Sequence, residues 1–268
     1  MPSLAVAYRI YPGIAKDLPV HKDDKYKLSE LCLHSFKRSL TGIDYKIWAI
    51  LDNCPKEYVE LFKQYFSEDQ LEIIEMPGVG NPDTFRRQVE ILLGQSHSDN
   101  CYFAEDDYFY LDDSFADMIS FLNSSSDVDF LTPYDHPDYY HHSIHRRKCE
   151  VRYHEKKYWR SAPTTCMTFL CTKNTLLKAR SILLSYAKKN YDTSMWMSIT
   201  KARVFDPIFY LSALGNLFHA RVAAKLWLYG SYQNLFSKKY KLWSPIPSIA
   251  THMVDSNLAP TIDWHTKF

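Results

Sequence analysis

The sequence predicts an α/β protein with a mostly parallel central sheet and helices on both faces of that sheet. Short apolar runs alternate with helical patterns about four times within the first ~110 residues, which is typical of parallel β-α units. The 268 residues contain no internal repeat and no linker-like stretch, so we expect one domain. The apolar share of 46% and the charged share of 24% are those of an ordinary globular protein.

Strands are predicted where aliphatic, β-branched or aromatic residues form compact runs that stop at turn-forming or acidic residues. These runs are residues 4–11, 45–51, 71–75 and 101–104. The second run is broken by residues 52–55, which end in a proline, and the third by the Pro- and Gly-containing segment 77–82. In a parallel sheet the carboxyl ends of these strands lie at one edge, where ligands bind.

Helices are predicted where apolar residues recur every three or four positions. In the first of them, Leu28, Leu31, Cys32 and Phe36 share one face, with Lys and Glu on the other. The predicted helices are residues 24–40, 55–65, 83–93, 114–122, 172–188, 192–202 and 207–217. The tail from Lys238 is predicted to be irregular.

The charge and cysteine content exclude several classes of protein. Lys plus Arg number 32 against 31 Asp plus Glu, so the basic field of a nucleic-acid-binding protein is missing. The most apolar stretch, residues 202–229, carries several charges, so we expect no transmembrane segment. Six cysteines without regular spacing predict reduced, mostly buried thiols and a cytoplasmic protein, with peripheral attachment to a membrane left open.

Three consecutive carboxylates, Glu105-Asp106-Asp107, follow the fourth predicted strand. They would repel one another unless positive charge neutralises them. A hard divalent cation such as Mg²⁺ or Mn²⁺ does so through oxygen ligands and can bridge to a substrate diphosphate. A solvated acidic turn without any ligand would explain the same three residues.

The segment Cys101-Tyr-Phe-Ala-Glu-Asp-Asp-Tyr-Phe resembles the D-x-D segment of the GT-A glycosyltransferases, and the order of elements over about residues 3–136 is similar to theirs. The resemblance implies a GT-A-like fold that binds a nucleoside diphosphate sugar across the carboxyl edge of the sheet. It also implies Mn²⁺ or Mg²⁺ as cofactor and a glycan or other hydroxyl compound as acceptor. Glu105 departs from the Asp that the family more often has at the first D-x-D place.

The resemblance also assigns roles to individual residues. Asp107 would bind the metal, and His252 would be the late histidine that returns to it. The residues implied in nucleotide-sugar binding are Arg9, Tyr11, Asp52, Arg86, Arg87, Glu105 and Asp106. For Arg86 and Arg87 a solvated helix face is an equally good interpretation. For His252, a buried or exposed histidine with an ordinary hydrogen bond is an equally good interpretation.

An inverting transferase needs a carboxylate that takes the proton of the acceptor hydroxyl. In similar enzymes this residue often opens a helix, and Asp192 opens the predicted helix 192–202. A plain N-cap would explain Asp192 without catalysis. The helix dipole is expected to lower its pKa.

We therefore predict a metal-dependent, inverting glycosyltransferase in which residues 1–136 bind the donor and residues 137–268 bind the acceptor. A metal-dependent nucleotidyltransferase or phosphohydrolase could use the same acidic strand end. A non-catalytic carbohydrate-binding module would fit the 20 tyrosines.

The histidine-rich segment around residues 136–154 allows two further interpretations. Its histidines, His136, His141, His142, His145 and His154, could bind zinc, although Cys149 is the only cysteine nearby. The aromatic and basic residues interleaved with them could instead stack on sugar rings or bind an anionic acceptor. These are Tyr139, Tyr140, Arg146, Arg147 and Tyr153.

Overall fold

The computed structural model describes residues 1–13, 17–145 and 148–268. The strands are β1 (Ser3–Ile10), β2 (Asp44–Asp52), β3 (Leu71–Met76), β4 (Asn100–Glu105), β5 (Tyr108–Tyr110), β6 (Phe130–Leu131), β7 (Val151–His154), β8 (Lys157–Ala162), β9 (Phe169–Thr172), β10 (Leu242–Ile246) and β11 (Ala250–His252). The α-helices are α1 (Lys25–Ser39), α2 (Lys56–Tyr65), α3 (Asn81–Gly94), α4 (Ser114–Asn123), α5 (Asp138–His141), α6 (Lys173–Leu183), α7 (Asp192–Thr200), α8 (Pro207–Ala213) and α9 (Leu217–Phe236).

The first half of the chain forms the parallel part of the central sheet, in the order β3-β2-β1-β4. The residues of β1 alternate between two cores, as the pleat of a strand requires. Leu4, Val6 and Tyr8 pack with α1 and α2 on one face, while Ala5 and Ala7 pack with α3 on the other. The predicted α/β class, with helices on both faces, is confirmed.

The second half extends the same sheet with mixed strand directions. β9 pairs antiparallel with both β4 and β6, and β10 lies between β6 and β8. The tail after Lys238 is therefore not irregular, and that prediction was wrong. Pro245 obscured the strand signal, but it lies beyond the two residues, Leu242 and Trp243, through which β10 pairs with β6.

A small separate sheet determines the position of the late histidine. β5 pairs antiparallel with β11, and Tyr108 is the register partner of His252. Because Tyr108 follows Asp107 directly, this pairing brings the far end of the chain to the acidic end of β4.

The predicted helix 207–217 is in fact the short helix α8 followed by the beginning of the long helix α9. The Asn216 side chain separates the two by capping α9, where it accepts a hydrogen bond from the backbone N–H of His219. α9 was not predicted because apolar residues lie on its exposed side as well as on its buried side. The alternation of apolar and polar faces that usually indicates a helix is therefore missing.

None of the helices in the described part of the chain has both the length and the apolar composition needed to cross a bilayer. The six cysteines all lie in the described ranges and are free thiols. Cys32, Cys101 and Cys171 are buried, whereas Cys149 is exposed, so the predicted burial holds for only part of the set.

Candidate active site

A cavity of about 280 Å³ opens at the carboxyl ends of β1, β2 and β4. It is where the sequence places the ligand, at the edge of the parallel strands. Six of the predicted site residues line it, namely Arg9, Tyr11, Asp52, Glu105, Asp106 and Asp107. Lys25, Asn81 and Thr84 also line it and were not predicted.

Each carboxylate of the acidic triplet has its own cationic partner. Glu105 pairs with Arg9 at 2.5 Å, and Asp106 pairs with Lys25 at 2.7 Å. Asp107 pairs with His252 at 3.0 Å, each distance being measured between side-chain nitrogen and oxygen. The repulsion that a divalent cation was expected to relieve is therefore relieved by three side chains of the protein. A metal at this site has to be argued from free ligand atoms instead.

The pair of Arg9 and Glu105 follows directly from strand register, because the two residues face each other on the parallel strands β1 and β4. Arg9 is 5% exposed and also donates to the carbonyl oxygen of Asn81 at 2.9 Å. The second oxygen of Glu105 accepts from the Thr168 hydroxyl at 2.9 Å. Burial opposes the charge of Arg9, but the nearby Glu105 carboxylate raises its pKa above the ordinary value. The hydrogen bonds of both side chains fix the pair in place at the floor of the cavity.

Lys25 is the first residue of α1 and is buried beside Asp106. Burial alone would lower the pKa of Lys25, but the carboxylates of Asp106 and Asp107 raise it well above its usual range. Burial raises the pKa of Asp106, against the effect of Lys25. Nothing in the local pattern separates Lys25 from its exposed neighbour Lys27. The only hint of Lys25 in the sequence was that three adjacent carboxylates need cationic partners from elsewhere in the chain.

Replacing Lys25 with Met should destabilise the protein by about 3–5 kcal/mol, because it leaves the buried Asp106 without its partner. Urea unfolding would measure the loss. The matched control is Lys27→Met on the same helix, whose exposed pair with Asp24 should change stability by less than about 0.5 kcal/mol. Adding Asp106→Asn to Lys25→Met should recover most of the lost stability, and no recovery would contradict the assigned role.

Asp107 and His252 form the third pair, with His252 Nε2 lying 3.0 Å from Asp107 Oδ2. Burial would raise the pKa of Asp107, but the imidazolium of His252 and its hydrogen bond lower it to about 2. Burial would lower the pKa of His252, and Asp107 raises it above its ordinary value. The predicted late histidine is thus beside the predicted metal-binding carboxylate.

Two atoms of this pair remain free to bind something else. Asp107 Oδ1 and His252 Nδ1 are buried and have no hydrogen-bond partner among the described residues. The described ranges contain no group of three or more His, Cys, Asp or Glu side chains that could hold a metal by themselves. Mg²⁺ is commonly held by one or two protein ligands and completed by water and substrate phosphate. The facing atoms of the pair, Asp107 Oδ2 and His252 Nε2, lie 3.0 Å apart, a separation that two neighbouring ligands of one ion can have, so the pair fits a metal completed by substrate once the proton between them is lost.

The same finding contradicts a structural zinc site in the histidine-rich segment, as far as the described residues extend. Tyr139 is buried there, while Tyr140 and Tyr153 are exposed. Arg146 and Arg147, which were predicted to interleave with these tyrosines, lie outside the described residues. The sugar-stacking interpretation of this segment stays a prediction.

Asp52 is almost fully buried, and both of its oxygens accept hydrogen bonds from backbone N–H groups of one turn. Its Oδ1 accepts from Gly78 and Val79 at 2.8 Å each, and its Oδ2 accepts from Gly80 at 2.7 Å. Gly78 and Gly80 both have positive φ, which glycine adopts without strain. Asp52 therefore holds the turn that begins α3. Its contact with a nucleotide base stays a prediction.

The structure does not bring Arg86 and Arg87 to the cavity. Both are exposed on α3, where Arg86 pairs with Asp83 at 2.8 Å and Arg87 pairs with Glu90 at 3.4 Å. Neither lines the cavity at the carboxyl edge. The solvated helix face that the sequence allowed describes their position, and their contact with a diphosphate stays a prediction.

Asp192 is the first residue of α7 and not its N-cap, which is Tyr191. Its Oδ1 accepts a hydrogen bond from the neighbouring backbone N–H of Thr193 at 2.5 Å, so the interpretation as a plain cap was wrong. Burial raises the pKa of Asp192, and the charge of Glu105 raises it further. The expected lowering by the helix dipole is outweighed, and Asp192 is a stronger base than predicted.

Asp192 lines a second cavity of about 390 Å³ together with Pro82 and Tyr186. Pro82 lies next to Asn81, which lines the first cavity, and the Tyr186 hydroxyl interacts with Arg9. The two cavities are therefore neighbours at the N-terminus of α3. One contains the acidic triplet, and the other contains a carboxylate suited to accept a proton.

No protein-family model matches this sequence, and no curated protein matches it. Among solved structures, the chain is similar to a cytidylyltransferase from Leptospira borgpetersenii serovar Hardjo-bovis, with 12% identity and a TM-score of 0.39 over 68% of this chain. It is also similar to the galactosyltransferase LgtC in complex with donor and acceptor sugar analogs, with 8% identity and a TM-score of 0.41 over 72% of this chain. A third is S. aureus TarS 1–349 in complex with UDP-GlcNAc, with 15% identity and a TM-score of 0.42 over 76% of this chain.

These matches span 65% of the cytidylyltransferase, 69% of LgtC and 54% of TarS 1–349, so the chain covers less than two thirds of two of them. Identities and TM-scores this low carry no argument about chemistry. The chain is similar to a galactosyltransferase, a cytidylyltransferase and a protein that binds UDP-GlcNAc, and its activity has to be argued from its own residues.

Proposed function

We propose that the protein transfers a sugar from a nucleoside diphosphate sugar to an acceptor hydroxyl. The observation that carries the proposal is the pair of Asp107 and His252, whose facing side-chain atoms lie 3.0 Å apart at the edge of a cavity that also holds Arg9 and Lys25. Two ligands with open positions suit a cation that is completed by diphosphate oxygens. A carboxylate with a raised pKa in the neighbouring cavity suits a base for the acceptor.

Asp107 and His252 would hold Mn²⁺ or Mg²⁺, which when bound supplies positive charge against the leaving diphosphate. Asp107 is ready to ligate at neutral pH because its pKa is low. His252 must lose its proton before it can ligate. Arg9 and Lys25 hold Glu105 and Asp106 in place beside the pair.

In the transfer step, Asp192 accepts the proton of the acceptor hydroxyl as the hydroxyl oxygen bonds to the anomeric carbon of the sugar. The bond between that carbon and the diphosphate oxygen breaks, and its electron pair leaves with the nucleoside diphosphate. Attack from the face opposite the leaving group inverts the configuration at the anomeric carbon. The two neighbouring cavities provide a place for the donor and a place for the acceptor.

A thermal-shift panel of UDP, GDP, CDP and the corresponding triphosphates, each with and without Mn²⁺, tests the proposal. A nucleoside diphosphate at about a hundred times its Kd should add about 2.7 kcal/mol of stability, and should do so only with metal present. If only a nucleoside triphosphate stabilises the protein, and pyrophosphate is released in the presence of a sugar phosphate, the protein is a nucleotidyltransferase instead. If no nucleotide stabilises it, both enzymatic proposals fail and a binding module is favoured.

A further inference from the structure

The packed helices α8 and α9 expose a set of large apolar side chains, which we name the apolar stripe. Each of its members is more than half exposed; they are Ile208, Leu211, Leu217, Leu228, Tyr232 and Leu235. Monomeric soluble proteins rarely leave so many large apolar side chains together in water, and such patches mark interaction surfaces.

The geometry of α9 places the stripe on one side of the helix. Leu217, Leu228 and Leu235 are separated by eleven and seven residues, which is close to three and two whole turns. The other side of α9 is already used, because Val222 and Leu226 are buried in a small core that also includes residues of α7 and α8. The part of the stripe on α9 therefore faces away from this core.

The charge around the stripe is mainly positive. The sequence contains no Asp or Glu between Pro207 and Val254, while this segment carries five Lys and Arg. Of these, Lys238 and Lys241 pair with acids from outside the segment, and Asp206 caps α8 just before it. Arg221 and Lys239 are exposed, and within the described residues neither forms an ion pair. Lys225 of α9 donates to the carbonyl oxygen of Lys189, which brings exposed Lys188 and Lys189 to the same side.

This charge distribution favours one kind of partner. A symmetric dimer through the stripe would bring each basic rim against its own copy, with no carboxylate in the segment to pair with it. Helices that lie in the interface of an anionic bilayer typically have apolar side chains flanked by Lys and Arg.

We propose that the α8–α9 face docks onto an anionic membrane surface. The leucines of the stripe enter the boundary between headgroups and acyl chains, while Arg221 and Lys239 contact the headgroup phosphates. α9 then lies in the plane of the membrane, since its buried side is held by the rest of the protein. The proposal is independent of the proposed function, because it uses none of the residues of the candidate active site.

Co-sedimentation with lipid vesicles tests this proposal on the full chain. The protein should bind vesicles of equal parts phosphatidylcholine and phosphatidylglycerol, and added salt should weaken that binding. It should bind vesicles of phosphatidylcholine alone much less. Leu217→Ser, Leu228→Ser and Leu235→Ser combined should weaken binding by about tenfold or more. Arg221→Gln should weaken it by about fivefold.

Leu177→Ser is the matched control, because Leu177 is a similarly exposed leucine on α6. It should bind vesicles like the unmodified protein, and both variants should show the unmodified far-UV circular dichroism. The proposal is overturned if the unmodified protein binds neither kind of vesicle, or if Leu177→Ser weakens binding as much as the triple change. It is also overturned if sedimentation velocity shows a dimer that the triple change dissociates while vesicles remain unbound.

Discussion

Asp107→Asn should lower the rate of sugar transfer by about a hundredfold to a thousandfold, the range seen when one group that stabilises developing charge is removed. Asp107 has a pKa of about 2 and an oxygen without a hydrogen-bond partner, so it is ionised at neutral pH and able to bind a cation. Asparagine keeps the shape of the side chain but removes its charge. The affinity for Mn²⁺, measured by calorimetry with a nucleoside diphosphate present, should fall together with the rate.

The variant should also lose about 1–3 kcal/mol of stability at neutral pH, because the pair with His252 lowers the pKa of Asp107 in the folded state. This contribution is present above the pKa of an unfolded Asp and is lost as pH falls toward 2. The protein should still unfold cooperatively. Asp113→Asn is the matched control, since Asp113 is exposed and has a positive φ that asparagine tolerates. Full activity of Asp107→Asn, or of the unmodified protein in EDTA, would exclude the metal-dependent mechanism.

Asp192→Asn should lower kcat by about a hundredfold to ten-thousandfold, the usual contribution of a positioned general base. Donor and Mn²⁺ should bind as before, because Asp192 lies in the neighbouring cavity and not among the residues that line the first one. Glu57→Gln, which changes an exposed acid in the first turn of α2, should leave kcat unchanged.

The pH profile gives a second readout of the same role. A base must be ionised, so the rate should fall as pH falls through the pKa of Asp192. Because burial raises that pKa, this decline should occur at a higher pH than an ordinary aspartate would give. Asp192→Asn should remove the part of the decline that belongs to Asp192 and leave the part that follows protonation of the metal-holding His252. Nuclear magnetic resonance of the first product should show an inverted anomeric carbon. Retention of configuration, or near-normal kcat in the variant, would remove Asp192 from the mechanism.

The N-terminal half of the fold could be predicted from sequence because each element there follows a simple rule. Compact apolar runs gave β1 to β4, and helical periodicity gave the helices between them. Parallel pairing then brings the strand ends to one edge, and the residues at Arg9, Asp52 and Glu105 do line one cavity. For these residues, local pattern and topology were sufficient.

The remaining features depend on contacts that a local pattern does not contain. Lys25 joins the site because α1 begins beside the end of β4, and its neighbourhood in sequence resembles any solvated helix start. The position of Asp192 was predicted, but the direction of its pKa was not, since burial is a property of the whole fold. α9 was missed because its exposed face is apolar too.

The place of β10 in the sheet has a consequence for synthesis of the chain. β1 to β4 can pair as soon as residue 105 has left the ribosome, because all four strands have been made by then. The hairpin of β7 and β8 joins the sheet through β10, which is translated much later. Until Leu242 and Trp243 emerge, β6 and β8 each present an open edge on which another nascent chain can pair. The need for chaperones during translation should therefore fall on the second half of the sheet.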